Sequence, residues 1–171
     1  SVFAATAHVL AQVLPGRFVI GLGSSSQTMM GQWNGIPLEM PLTRVKETAE
    51  LVRIMLSGEK TKFAGKTLTS SGYRQPKLEA PPPIYIAALR SKMIEAAASL
   101  GEGVIFNLWP KEVLPKMMEH IKIGAKKVGK NWENIEIVNR AHVLCTDDKA
   151  MARDLFRRNF APYYATPVYN D

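Results

Sequence analysis

Residues 14–27 read LPGRFVIGLGSSSQ. Pro15 and Gly16 stop a preceding apolar helix, and Arg17 opens the run Phe18-Val19-Ile20-Gly21-Leu22-Gly23, apolar at nearly every position. Such a run predicts a strand buried on both faces, as parallel sheets require. It ends on Gly23, followed by Ser24, Ser25 and Ser26, small residues that let a ligand approach the backbone and offer it hydroxyl and amide donors. In α/β proteins ligands bind at that carboxyl end of a strand.

Upstream, Ala4, Ala7, Leu10, Ala11 and Leu14 recur at helical spacing over residues 3–14, a small-residue face suited to packing on a sheet. Downstream, residues 27–42 form a long loop carrying Met29, Met30, Trp33 and Ile36, the kind that covers a ligand or tucks onto the domain. Thr43 is the expected N-cap of the next helix, Glu47 lies in its early turns, and Val45, Ala49, Val52 and Leu56 are its buried stripe. Around Ala64-Gly65 a switch to β-formers predicts a small hairpin outside the main sheet.

Pro81-Pro82-Pro83 stiffens the approach to a second strand, residues 84–88, after which an alanine-rich helix covers 93–100. A third strand spans 103–107, and Pro110 is placed to start a helix with the stripe Val113, Met117, Ile121, Ala125 and Val128. A fourth strand is expected over 135–145. Asp147 and Asp148 then cap a last helix with Met151, Leu155 and Phe156 on its stripe, and Tyr163, Tyr164, Val168 and Tyr169 crowd the chain's end. Strict alternation of strand and helix implies one parallel sheet, read here as a single domain over residues 1–171.

With 46% hydrophobic and 22% charged residues, the composition is that of a globular protein rather than a disordered one, and no apolar run approaches a membrane span. The net charge of +7 is spread among acidic residues without a basic-aromatic run, which argues against nucleic acid and suits an anionic small ligand. The lone Cys145 rules out an internal disulfide and fits a reducing, cytoplasmic compartment. His8, His120 and His142 have no metal-ligand spacing, so no metal is expected.

One further stretch carries chemistry. Leu89-Arg90-Ser91-Lys92 joins the second strand to its helix, where helix-terminal amides and two cations suit a phosphate; the plainer reading makes Ser91 an N-cap. Glu39, Glu102 and Asn107 fall near strand or loop ends, with solvation the plainer reading for the glutamates.

GRFVIGLGSSS, WNGIPLEMPLTRVKETAELVRIMLSGE, FAGKTL and PPPIYIAALRSKMIEAAASLGEGVIFN, in that order, resemble the middle of a bacterial luciferase-like oxidoreductase. Residues 33–47 look closest to the branch that uses coenzyme F420, which includes relatives of methylenetetrahydromethanopterin reductase. The resemblance implies an α/β fold, a partial (β/α)8 TIM barrel lacking its first strands and its last. It also implies cofactor contacts at Gly23, Ser24 and Ser25, and at Ala88, Leu89, Arg90 and Ser91, where the phosphate commonly sits. The sequence departs from relatives in having Arg90-Ser91 where glycine and proline are usual, and Glu102-Gly103 for Asp-Gly.

The expected activity is hydride transfer between a small-molecule substrate and F420, with FMN as the alternative cofactor. No catalytic residue is nominated. A barrel segment has open sheet edges, so a homo-oligomer or a complementary barrel segment is the expected partner. Two other readings stand beside the enzyme: a non-catalytic half-barrel assembly module, and an unrelated phosphate-binding α/β domain.

Overall fold

A computed structural model describes residues 1–165. In chain order it has α1 (Val2–Val13), β1 (Ile20–Leu22), a π-helical turn (Thr28–Trp33), α2 (Pro41–Leu56), and a hairpin of β2 (Lys62–Ala64) and β3 (Thr69–Ser71). It continues through β4 (Ile84–Ala87), α3 (Ser91–Leu100), β5 (Gly103–Asn107), α4 (Leu114–Lys127), β6 (Glu136–Arg140) and α5 (Lys149–Tyr164). Strands β1, β4, β5 and β6 pair in that order, all parallel, and the hairpin stands apart as its own antiparallel pair. Both features match the alternation read from the sequence.

Register puts the carboxyl ends of the four strands on one edge, with β5 and β6 running two residues past the end of β4. Leu22 lies opposite Ile86, Ala87 opposite Ile105 and Asn107 opposite Arg140. Because side chains alternate along a strand, Ile20, Leu22, Ile84, Ile86, Val104 and Phe106 share one face, and all are buried. On that face lie the small-residue side of α1 (Ala4, Ala7, Ala11), the α2 stripe, Ile94, Ala97 and Ala98 of α3, and Met117, Ile121 and Ala125 of α4. The alanines let helices approach closely. At the α3–α4 contact a Cβ on Gly124 would stand 2.2 Å from the Glu95 carbonyl oxygen.

The other face is open. Gly21 and Ala87 are exposed and Tyr85, Ile105 and Asn107 half-buried, so β1 is covered on one side and not on both as its composition led one to expect. Its apolar run reflects glycines, which read as apolar without requiring cover.

Several boundaries differ for identifiable reasons. Helix α2 starts at Pro41, with Met40 and not Thr43 at the N-cap, because Pro41 presets the first helical φ. Pro110 opens a turn, its carbonyl accepting the Val113 N–H, and α4 begins only at Leu114. The last strand ends at Arg140 and not at Cys145, since its neighbour β5 ends at Asn107 and nothing remains to pair with; Val143 is 85% exposed. Asp148 caps α5 through the Met151 N–H at 2.8 Å, but Met151, Leu155 and Phe156 are exposed rather than buried. Instead the aromatic rings of Phe156, Phe160 and Tyr163 associate along the helix, with His142 against Phe160. Val168 and Tyr169 lie outside the described residues.

The hairpin is pinned to α2 by Glu47, which is not a solvent-facing helix-dipole partner. Its buried carboxylate accepts from the Lys66, Thr67 and Leu68 N–H groups at 2.6–2.9 Å and from the Thr67 hydroxyl at 2.6 Å. Gly65 is required there, since a Cβ would fall 2.4 Å from the carboxyl carbon.

Candidate functional site

The turn after β1 and the turn after β4 leave neighbouring, hydrogen-bonded parallel strands at one edge of the sheet. Gly23 stands beside Ala87, and a Cβ on Gly23 would meet that of Ala87 at 3.4 Å, ordinary contact distance. The two positions therefore make a low ledge with almost no side chain on it. Ser24 is half-buried, its hydroxyl donating to the Ser25 carbonyl at a long 3.4 Å, and Ser25 is exposed. The Ser26 hydroxyl accepts the Met29 N–H just ahead of the π-helical turn.

In the second turn the residues play unequal parts. Ala88 is buried and its N–H donates to the Ile105 carbonyl, so it offers a ligand a wall and no donor. Leu89 is half-buried and Arg90 exposed. Arg90 occupies the N-cap position without capping through its side chain, and Ser91 is the first helical residue, not the cap. Among the described residues the α3 N-terminus has no side-chain cap and no acidic residue in its first turn, a setting whose dipole favours an anion.

Backbone strain gathers at the same edge. Among the described residues Ser25 (φ 61°), Met40 (φ 46°) and Leu108 (φ 59°) are the non-glycine residues in the left-handed region; Ser25 lies three residues past the end of β1, Leu108 directly follows β5, and Met40 caps the helix that follows β1. Each such residue costs about 1–3 kcal/mol and tends to occur at sites of function.

Sequence reading missed Arg140, treated as the middle of a longer strand. It ends β6 directly opposite Asn107, and its Nη1 donates to the Asn107 Oδ1 at 3.3 Å. Only the register reveals this pair, 33 residues apart in sequence. Glu102, by contrast, sits at the amino end of β5, remote from the ledge. There it accepts from Arg53 at 2.7–2.8 Å and from the Ile84 N–H at 2.8 Å, locking α2 to the start of two strands. Glu39 is exposed.

The loop after β1 covers part of the ledge, with Pro37 and Leu38 lining a cleft beside Gly21 and Gly23. Trp33 is 70% exposed and Met29 47%, while Met30 lines that cleft, of about 180 Å³, with Gly23, Ser24, Ser25, Pro41 and Arg44. That is less than the roughly 300–1,000 Å³ of ordinary ligand pockets. A shallow hollow of about 620 Å³ by Gly58 and Lys77 is at the C-terminal end of α2, away from the ledge.

The remaining candidates have structural partners. His8 meets Gln12 at 3.0 Å, and His120 meets Glu95 at 3.1 Å. Glu95 also binds Lys127, and these two partners hold its carboxyl below the ordinary range. Burial lowers the Lys130 ammonium, which donates to the Gly101 carbonyl at 2.9 Å. Cys145 is exposed, and among the described residues no cluster of three or more His, Cys, Asp or Glu could hold a metal. No helix among them is long and apolar enough to cross a membrane.

Comparison with known proteins places this geometry. The chain is 30% identical over 146 residues to 5,10-methylenetetrahydromethanopterin reductase of Archaeoglobus fulgidus, a match covering 85% of this chain and 44% of the relative. It is 25% identical over 166 residues to an F420-dependent glucose-6-phosphate dehydrogenase of Gordonia bronchialis, covering 90% and 47%. The structure of the coenzyme F420-dependent tetrahydromethanopterin reductase of Methanopyrus kandleri superposes with a TM-score of 0.80 at 19% identity, over 97% of this chain and 53% of that one. The chain thus spans about half the length of these relatives, and its four strands and their helices are a partial (β/α)8 barrel. The family model for luciferase-like monooxygenases matches residues 1–170, and the chain belongs to that family.

Proposed function

We propose that this chain is the cofactor-bearing part of an oxidoreductase that exchanges hydride between a small-molecule substrate and coenzyme F420, seated over the ledge of Gly23 and Ala87. The observation that carries the reading is the adjacency of the two turns. Residues 23–25 and 88–91, separated by more than sixty positions, follow two paired strands at one edge. The names of the two curated relatives, one an F420-dependent dehydrogenase and the other a reductase, support F420 over FMN.

The residues fit such a group. The ledge admits a flat ring, Ser24 and Ser25 supply hydroxyls at its rim, and the uncapped start of α3 with Arg90 and Ser91 suits a phosphate. When bound, the cofactor supplies the hydride chemistry through its own ring. This chain's part is to position the ring against the sheet, to orient it by the anion at α3, and to keep water from the covered side. Packing of Ile86 and Ala88 beneath the ledge provides that dry side.

Fluorescence titration of the complete protein containing this chain tests the reading. Saturable binding of F420, weakened by Gly23→Val and by Arg90→Glu, is the expected result. Preferential binding of FMN would replace the cofactor and keep the site. Absence of binding to either would overturn the reading and leave the assembly-module alternative.

A further inference from the structure

We infer that Arg140, positioned by Asn107, is the residue that receives the anionic group of the substrate, a carboxylate or phosphate; this rests on the cofactor placement proposed above. The open face of the sheet is made of alternate residues from each strand. In register they are Gly21 and Gly23, Tyr85 and Ala87, then Gly103, Ile105 and Asn107, then Glu136, Val138 and Arg140. Arg140 is the one cation among these positions, and it stands at the carboxyl end, the side on which barrel enzymes carry their chemistry.

Its acidic neighbour on that face does not neutralise it. Glu136 lies four residues toward the amino end, about 13 Å along the strand. Its carboxylate accepts the Tyr85 hydroxyl instead. Asn107 bonds Arg140 through Nη1, fixing one side of the fork, and the other guanidinium N–H groups meet no acceptor among the described residues. A planar fork held on one side and open on the other is suited to bidentate capture of a carboxylate or phosphate.

Position separates this anion site from that of the cofactor. Strand β6 lies two strands from β4, about 10 Å across the sheet. A ring resting on Gly23 and Ala87 therefore leaves the space before β5 and β6 for a second molecule. Ile105 and Val138, both half-buried, give that part of the face its apolar surface, and Arg140 follows at its carboxyl end. The substrate class that follows is a small molecule with an apolar body and one oxyanion.

The test uses the complete protein, inorganic phosphate as the oxyanion probe and F420 in a separate titration. The Arg140 Nε–H resonance should shift saturably with phosphate. Arg140→Gln should weaken phosphate binding by about tenfold or more, and Arg140→Lys, which keeps charge but loses the fork, by less. Asn107→Ala, with the charge intact, should weaken it several-fold, and F420 affinity should stay within about twofold in all three variants. An unmoved Nε–H resonance in the folded protein would overturn the inference, as would loss of F420 affinity in Arg140→Gln, which would make Arg140 a cofactor contact. Failure of F420 to bind the unaltered protein would remove the cofactor reading, while the phosphate arm still reports on Arg140.

Discussion

The carboxylate of Glu47, on α2, is gripped by Thr67 of the hairpin turn through both its hydroxyl, at 2.6 Å, and its backbone N–H, at 2.8 Å. The Thr67 hydroxyl is the largest cause of a carboxyl pKa lowered from 4.5 to about 2; burial opposes it, and the N–H groups of Thr67, Lys66 and Leu68 add to it. A carboxyl whose folded pKa is depressed contributes stability that is fully present above its unfolded value and is lost as pH falls through the folded one. Stability should therefore drop between pH 4.5 and about 2 on this account. Glu47→Gln should lower the melting temperature at neutral pH and flatten that part of the pH profile; an unchanged profile would contradict the hairpin anchor.

Gly124 tests the helix packing. Glycine to alanine in a helix ordinarily gains about 1 kcal/mol. Here the added Cβ meets the Glu95 carbonyl at 2.2 Å, a backbone atom that cannot swing aside. Overpacking costs about 1–3 kcal/mol or more, so Gly124→Ala should be net destabilising in urea melts. A stabilised variant would mean that α3 and α4 are not this close.

Ser25 is held at φ 61° where the chain leaves β1. Glycine accepts that geometry, whereas a β-branched side chain does not, the left-handed region costing a side-chain-bearing residue about 1–2 kcal/mol. Ser25→Gly should leave the melting temperature nearly unchanged, and Ser25→Val should lower it. Equal effects would show that the turn is not strained.

On the open face the Tyr85 hydroxyl donates to Glu136, and the Tyr85 ring lies over Gly103, whose Cβ would be 2.7 Å from it. That hydrogen bond is the first cause of a phenol pushed above its ordinary pKa of 10, with burial and the negative charge of Glu136 behind it. Alkaline difference spectra against Tyr85→Phe should show the Tyr85 phenolate forming late, and Glu136→Gln should bring it back toward the ordinary value. No difference between the two backgrounds would break the pairing.

The chain's local pattern alone established the class of fold. Apolar runs closed by glycine and serine mark strands, stripes at helical spacing mark crossover helices, and the β-forming stretch around Ala64-Gly65 marks the hairpin; all rest on periodicities of a few residues. Proline misled at Pro110, where the same fixed φ serves a turn as well as a helix start. The expected strand over 135–145 was too long because a strand's end depends on where its neighbour stops. What only the tertiary structure decided are relations between distant residues. Register put Gly23 beside Ala87 and Asn107 opposite Arg140, hairpin docking gave Glu47 its partners, and pairing sent Glu102 to the far end of the sheet. Helix and strand preferences are written into neighbouring residues, but hydrogen-bond register and burial are properties of the whole packed chain, and no local pattern carries them.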